Sequence, residues 1–142
     1  MLAKELNVSK NRGRSLARTE INHLCNQANL DVYKACGIEK YQFLATLDMR
    51  TSEICRGMDG FIGNVTQAKV NVNYPPMHVN CRSTTIPYFE DDDTLDRIAK
   101  DEDGNNIKVP RRMTQEEWIK KYAPEEQRSK LLKFREKYSG NE

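Results

Sequence analysis

The sequence predicts an α+β protein: a long N-terminal helix packed on a small, mostly antiparallel sheet, with a helical C-terminal tail. Three observations carry this. Apolar residues recur at three- and four-residue steps between Arg14 and Cys36, the period of a helix with one buried face. Tyr41–Leu47 alternates in the manner of a strand. Turn signals, prolines and two helix starts follow.

Residues 1–13 are polar, with Lys4, Lys10 and Arg12 just before Arg14; they read as a short helix or the frayed end of a longer protein. The long helix presents Ile21, Leu24, Cys25, Ala28, Val32 and Cys36 on one side, expected to be its core face. Gly37 ends it as a C′ residue does. After the 41–47 strand, Thr51 or Ser52 serves as N-cap for a short helix through Met58. Asp59-Gly60 is a turn signal, with a short strand at Phe61-Ile62-Gly63 beyond it. Residues 64–80 read as loop, since Tyr74-Pro75-Pro76 excludes regular helix or central strand. Residues 82–89 are β-rich, with Pro87 marking an end or an edge.

Glu90-Asp91-Asp92-Asp93 is a solvated acidic tract. A turn is expected at Asp103-Gly104-Asn105-Asn106, between Ile98 and Val109. Thr114 and Glu117 form a capping box that opens a helix carrying Trp118 and Tyr122. Pro124 opens another, with Leu131, Phe134 and Tyr138 at helical spacing. We divide the chain at this acidic tract: residues 1–90 as one domain, residues 91–142 as acidic linker and helical tail.

Size and composition bound the rest. With 142 residues, 37% of them hydrophobic, and a mean hydropathy of −0.82, the core is lean, and part of the chain is expected to be extended or to lean on a partner. The net charge of +2 hides a pattern: 11 basic and 7 acidic residues in 1–86, 2 and 8 in 87–103, 10 and 6 in 104–142. Neither basic part argues for nucleic acid by itself. No apolar run is long enough to span a membrane, and Met1–Glu5 has no apolar signal core. The protein is expected to stay in a reducing cytosol, its four cysteines thiols or metal ligands rather than disulfides.

Cys55, His78 and Cys81 supply three zinc-type ligands, the last two as His-x-x-Cys. Asp48 is a candidate fourth. Ser52, three residues before Cys55, sits where a Cys-x-x-Cys pair would place its first thiol, but a neutral hydroxyl is a poor zinc ligand. The alternative stays open: Cys55 and Cys81 as small buried residues, His78 as a loop hydrogen-bonder. Cys25 and Cys36 are expected in the core, or as completing the site.

At these residues the chain resembles the C-terminal domain of the phage Mu protein F-like family, the minor head (head morphogenesis) proteins of tailed phages. Ala17-Arg18-Thr19-Glu20, the strand from Phe43 to Asp48, Asp48-x-Arg50-Thr51, Asp59-Gly60 and Pro75-Pro76-x-His78-x-Asn80-Cys81-Arg82 follow one another as they do in that family. The likeness covers roughly residues 14–90. Residues 95–122, with Arg111-Arg112-Met113-Thr114, resemble a tail that some members carry. Many members have Cys-x-x-Cys at the positions of Ser52 and Cys55, which with His78 and Cys81 would complete a zinc site; this chain departs from them at Ser52. Full-length members usually carry a long helical N-terminal region that associates with the portal.

The resemblance implies a non-enzymatic virion component of a phage or prophage. It would sit inside the head near the portal and aid assembly or DNA ejection. Portal or other capsid proteins would be its partners, packaged DNA a non-specific one, with no membrane and no small-molecule substrate. It would pass through the host cytoplasm during assembly. Asp48 and Arg50 are expected to fix loops and Asp59 to shape its turn. Two rivals stand beside this. One is a nuclease or toxin-type enzyme, with candidates His78, His23, Asp48, Arg50 and Arg82, or Arg18 with Ser83-Thr84-Thr85 for ADP-ribosyl transfer, although no Glu-x-Glu follows. The other is a regulatory module that binds a host protein through Trp118, Tyr122, Phe134 and Tyr138.

Overall fold

The computed structural model describes residues 9–91 and 95–138. The expectations placed on Lys4, on Asp92 and Asp93, and on the Tyr138 side chain lie outside the described residues.

Ser9 opens the first helix, α1 (Lys10–Ala35), by accepting a hydrogen bond from the Arg12 N–H at 3.3 Å. The helix therefore starts before Arg14. At its other end Gly37 has φ +69°, and the Gly37 and Ile38 N–H groups donate to the Lys34 and Tyr33 carbonyls. That is a Schellman closure, in a backbone shape that favours glycine.

The expected core face of α1 is overturned. Ile21, Leu24, Cys25, Ala28, Val32 and Cys36 are all exposed. The opposite stripe, Asn26, Leu30 and Tyr33, is buried. The reason is polar. Asn22 and Asn26 both donate side-chain N–H to the Ser83 carbonyl, at 3.0 and 3.2 Å. Tyr74 Oη donates to the Asn26 carbonyl at 2.7 Å, and Tyr33 Oη meets Thr85 Oγ1 at 3.1 Å. A helix docked through its amides and phenols leaves a period that apolar residues alone do not report.

A three-stranded antiparallel sheet has β1 (Lys40–Leu44) at its centre, between β2 (Ile62–Asn64) and β3 (Thr84–Pro87). Tyr41 pairs with Gly63 and Pro87, which places Pro87 at the end of an edge strand. Burial alternates from Tyr41 through Leu47 as expected, yet the ladder stops at Leu44. Side chains replace it. The Ala45 N–H donates to Asp59 Oδ1 at 2.8 Å, and Arg97 Nη2 donates to the Ala45 carbonyl.

Between β1 and β2, Ser52 caps the short helix α2 (Glu53–Met58). A 3₁₀ turn (Val65–Gln67) follows β2, and the Pro75-Pro76 peptide bond is cis. The hairpin β4 (Asp96–Lys100) and β5 (Asn106–Pro110) closes at the expected turn, with Gly104 at φ +84°. Its strands escaped the sequence because Asp96-Arg97-Ile98-Ala99-Lys100 and Asn106-Ile107-Lys108-Val109-Pro110 bury only Ala99 and Val109. The capping box at Thr114 opens α3 (Gln115–Tyr122). The short helices α4 (Glu125–Leu131) and α5 (Phe134–Tyr138) complete the chain.

The core has separate parts. Leu30, Tyr33, Tyr41, Val65 and Tyr74 join α1 to the sheet. Phe43 and Ala45, further along the same face of the strand segment as Tyr41, cluster with Cys55 and Cys81. Leu47, just beyond β1, packs with Ala99, Val109, Trp118, Ile119 and Ala123. Trp118 is fully buried and donates its indole N–H to the Lys100 carbonyl at 2.8 Å. The buried Arg56 guanidinium lies 5.9 Å from its ring and donates to Gln115 Oε1 and the Asp48 carbonyl.

The inverted helix face is directly testable by urea unfolding. Leu30→Ala is expected to cost about 2–5 kcal/mol, as for a buried leucine, whereas Leu24→Lys should stay within about 0.5 kcal/mol of wild type. Equal losses would place Leu24 in the core after all.

Candidate metal centre

Ser52 and Cys55 are on α2, one turn apart, because Ser52 is its N-cap: the Cys55 N–H donates to Ser52 Oγ at 3.3 Å. Opposite them, the 78–82 loop carries His78 and Cys81. Asn80 holds that loop in a left-handed turn, φ +61°, a shape asparagine tolerates. It also ties the loop to α1, donating its backbone N–H to Thr19 Oγ1 at 3.0 Å and its side-chain N–H to Ser15 Oγ at 3.1 Å.

These elements bring Cys55, His78 and Cys81 together, with ligand atoms within 4.8 Å of one another. Cys55 Sγ stands 3.8 Å from Cys81 Sγ and 3.2 Å from His78 Nε2. Two thiolates bound at about 2.3 Å to one tetrahedral zinc would stand about 3.8 Å apart. The imidazole is set for the same task. Its Nδ1 lies 2.7 Å from the Val79 carbonyl; a carbonyl only accepts, so Nδ1 carries the proton and Nε2 offers its lone pair. Ser52 Oγ takes the remaining side, 2.8 Å from Nε2. A cavity of about 20 Å³ beside these groups, lined by Thr46, Arg50, Ser52, Cys55 and His78 among others, has room for a single water. The group could bind a metal.

The two thiols differ. Hydrogen bonding by Cys55 lowers the Cys81 pKa, against the opposing effect of burial, and hydrogen bonds from Met77 and Ser83 lower it further. Cys55 is pushed up, by its hydrogen bond to Cys81 first and burial second. Of the two, Cys81 is the thiol whose surroundings favour losing its proton.

Asp48 stands outside this group. Its carboxylate accepts both Arg82 Nη groups, at 2.5 and 2.9 Å, the Thr51 hydroxyl and the Arg50 and Thr51 N–H groups at 3.0 Å. Burial pushes its pKa up, but the Arg82 contacts and these hydrogen bonds outweigh that and leave it lowered. Arg50 contributes to this loop through its backbone. Cys25 and Cys36, expected in the core or at the site, are exposed, on α1 and at its C-cap, and neither belongs to the group. His23 is also on α1, outside the group.

Sequence reasoning missed Arg97. Asp59 does more than shape its turn: its carboxylate accepts Arg97 Nη2 at 2.9 Å and Nη1 at 3.1 Å, and both side chains are buried. Arg97 is 38 residues away in a polar strand, and no local pattern signals such a pairing.

The family model of the phage Mu protein F like proteins matches residues 1–86. The chain belongs to the phage Mu protein F like family. The match spans α1, the sheet up to Ile86 and all three residues of the Cys55–His78–Cys81 group. No curated protein and no solved structure matches the chain. Membership points to phage head morphogenesis and, with it, to association with other capsid components and the virion. Among the described residues no helix is long and apolar enough to cross a membrane.

The lowered Asp48 carboxyl makes a pH prediction. A carboxyl whose folded pKa lies below its unfolded value adds stability above the unfolded value, and loses it as pH falls through the folded one. Metal-free wild type is expected to weaken below about pH 4, measured by urea midpoints. Asp48→Asn should be about 1–3 kcal/mol less stable at pH 6 and decline less on acidification. Parallel curves would remove Asp48 from this role.

Proposed function

We propose that this chain is a non-enzymatic minor capsid component of a phage or prophage. It works inside the head near the portal, where it aids assembly or DNA ejection. The observation that carries this is the family match across residues 1–86. In this reading residues 1–90 form the unit shared with head proteins and residues 91–142 an extension that packs on it through Leu47 and Trp118. Capsid or portal proteins are its partners, packaged DNA a non-specific one, and the host cytoplasm its route to the virion. It uses neither a membrane nor a small-molecule substrate.

The rival readings find less support. His78 faces Ser52 and Cys55, the surroundings of a ligand rather than of a general base. Trp118, the centre of the suggested host-protein interface, is fully buried in the chain's own core.

Within this reading Cys55, His78 and Cys81 hold zinc. The donor set and the thiol separation fit it, and Ser52 Oγ or a water beside it fills the fourth corner. When bound, the ion cross-links α2 to the 78–82 loop. The chain's own residues orient the ligands: Val79 sets the imidazole tautomer, and Ser52 places Cys55 on the first turn of α2.

Two measurements check these proposals. Native mass spectrometry should find one zinc per wild-type chain and none in Cys81→Ser. Ser52→Cys should bind zinc about tenfold tighter or more, equivalent to about 1.4 kcal/mol; a folded wild type without metal would defeat the zinc assignment. For the head role, heads purified from the encoding phage or induced prophage should contain the chain by mass spectrometry. Its absence from intact heads and from procapsids would end that reading.

A further inference from the structure

A groove of about 730 Å³ runs between α1 and the two loops that follow β1 and precede β3. That volume is in the range of sites for ligands of nucleotide size. Its walls carry Arg18 from α1, Arg50 from the first loop and Arg82 from the second, with Asn80, Ser83 and Thr84 between them. No Asp or Glu is among the lining residues.

The state of these groups matters more than their number. Arg18 and Arg50 are exposed, and among the described residues neither side chain has an acidic partner. Arg82 is clamped from behind by Asp48, which is not part of the groove wall. That clamp fixes the guanidinium plane and leaves part of its fork of five donors free to face a ligand. Asn80, tied to Ser15 and Thr19 of α1, sets the spacing between the walls. Among the described residues of the acidic tract, Glu90 and Asp91 do not supply the counter-charge. Glu90 pairs with Lys40 at 3.6 Å, and Glu90 and Asp91 line a different cavity beside Cys36 and Gly37, at the C-terminal end of α1.

We propose that this groove binds the phosphodiester backbone of a nucleic acid. Guanidiniums on separate segments match successive phosphates better than one carboxylate, and the amide and hydroxyl groups between them are backbone-contacting types. Ile21 and Cys25 on the rim offer apolar contact to sugar faces. Such contacts position without reading sequence, so binding is salt-dependent and sequence-independent. The inference deepens the reading of a head component beside packaged DNA and rests on it for the source of the ligand.

The test is fluorescence anisotropy with labelled 20-nucleotide single-stranded and duplex DNA, from 50 to 200 mM NaCl. Wild type should bind at low salt. Arg18→Gln/Arg50→Gln should weaken binding about tenfold or more and flatten the salt slope by about 2, at roughly 0.9 for each phosphate no longer neutralised. Thr84→Asp, which places a carboxylate in the groove, should weaken it as well. Lys108→Gln/Lys130→Gln, exposed lysines outside the groove, should remain within about twofold of wild type if the groove carries the binding. The proposal is overturned if neither DNA binds at 50 mM NaCl, if the groove variants bind like wild type, or if the lysine control weakens binding as much. Complete displacement by inorganic phosphate at equal phosphate concentration would assign the groove to free phosphate instead. Head incorporation is scored separately, so failure of the groove and failure of the head reading remain distinguishable.

Discussion

The fold turns on the buried pair of Asp59 and Arg97. Their charges meet at 2.9 and 3.1 Å where β1 runs out of strand partners. Asp59 takes the Ala45 N–H and Arg97 the Ala45 carbonyl, so one ion pair satisfies the first backbone unit beyond the ladder. Arg97 also donates to the Met113 carbonyl at 3.3 Å, just before the capping box of α3. The sheet, the hairpin and the C-terminal helices thus meet at one guanidinium. Loss of either partner would leave a desolvated charge, a change that typically costs about 3–5 kcal/mol. In a chain whose apolar core is split into small clusters, that is a large share of total stability.

Asp48 and Arg82 repeat this logic at the loops. Asp48 gathers the backbone of its own turn and the side chain of Arg82, and so joins the 48–52 loop to the segment after Cys81. Arg56 does the same underneath, holding the Asp48 carbonyl at 2.7 Å and Gln115 at 3.0 Å. The Cys55–His78–Cys81 group sits between segments already bridged by charge. One arginine serves two environments: Arg82 closes the loops on one side and faces the groove on the other.

Much of this was legible in residue order. The α+β class, the Gly37 stop, the Ser52 and Thr114 caps, the Asp59-Gly60 turn and the edge position of Pro87 follow from local chemistry, and the structure has them. His78 and Cys81 were legible as a pair because His-x-x-Cys spacing is local, and Cys55, 23 residues before His78, was legible by residue type. What was not legible depends on partners distant in sequence. The face of α1 is chosen by Ser83 and Thr85, which receive Asn22, Asn26 and Tyr33. The strands of the hairpin bury one residue each. Asp48 was expected both as a candidate ligand and as a residue that fixes its loop; what residue order did not give is its partner Arg82, 34 residues on.

Ser52 shows how one side chain can serve both a helix start and the neighbouring loop. Its oxygen accepts the Cys55 N–H and thereby starts α2, a task for which serine is among the best residues. Its hydroxyl also meets His78 Nε2, so the imidazole has a partner with or without an ion. Meanwhile Asp48, Arg82 and Arg56 hold the same loops together. A thiol at position 52 would add ligand strength but weaken the cap. With serine at position 52 the chain has a capped helix start and loops that stand on their own hydrogen bonds. A bound ion would add stability according to its occupancy, acting on an arrangement that the protein has already assembled.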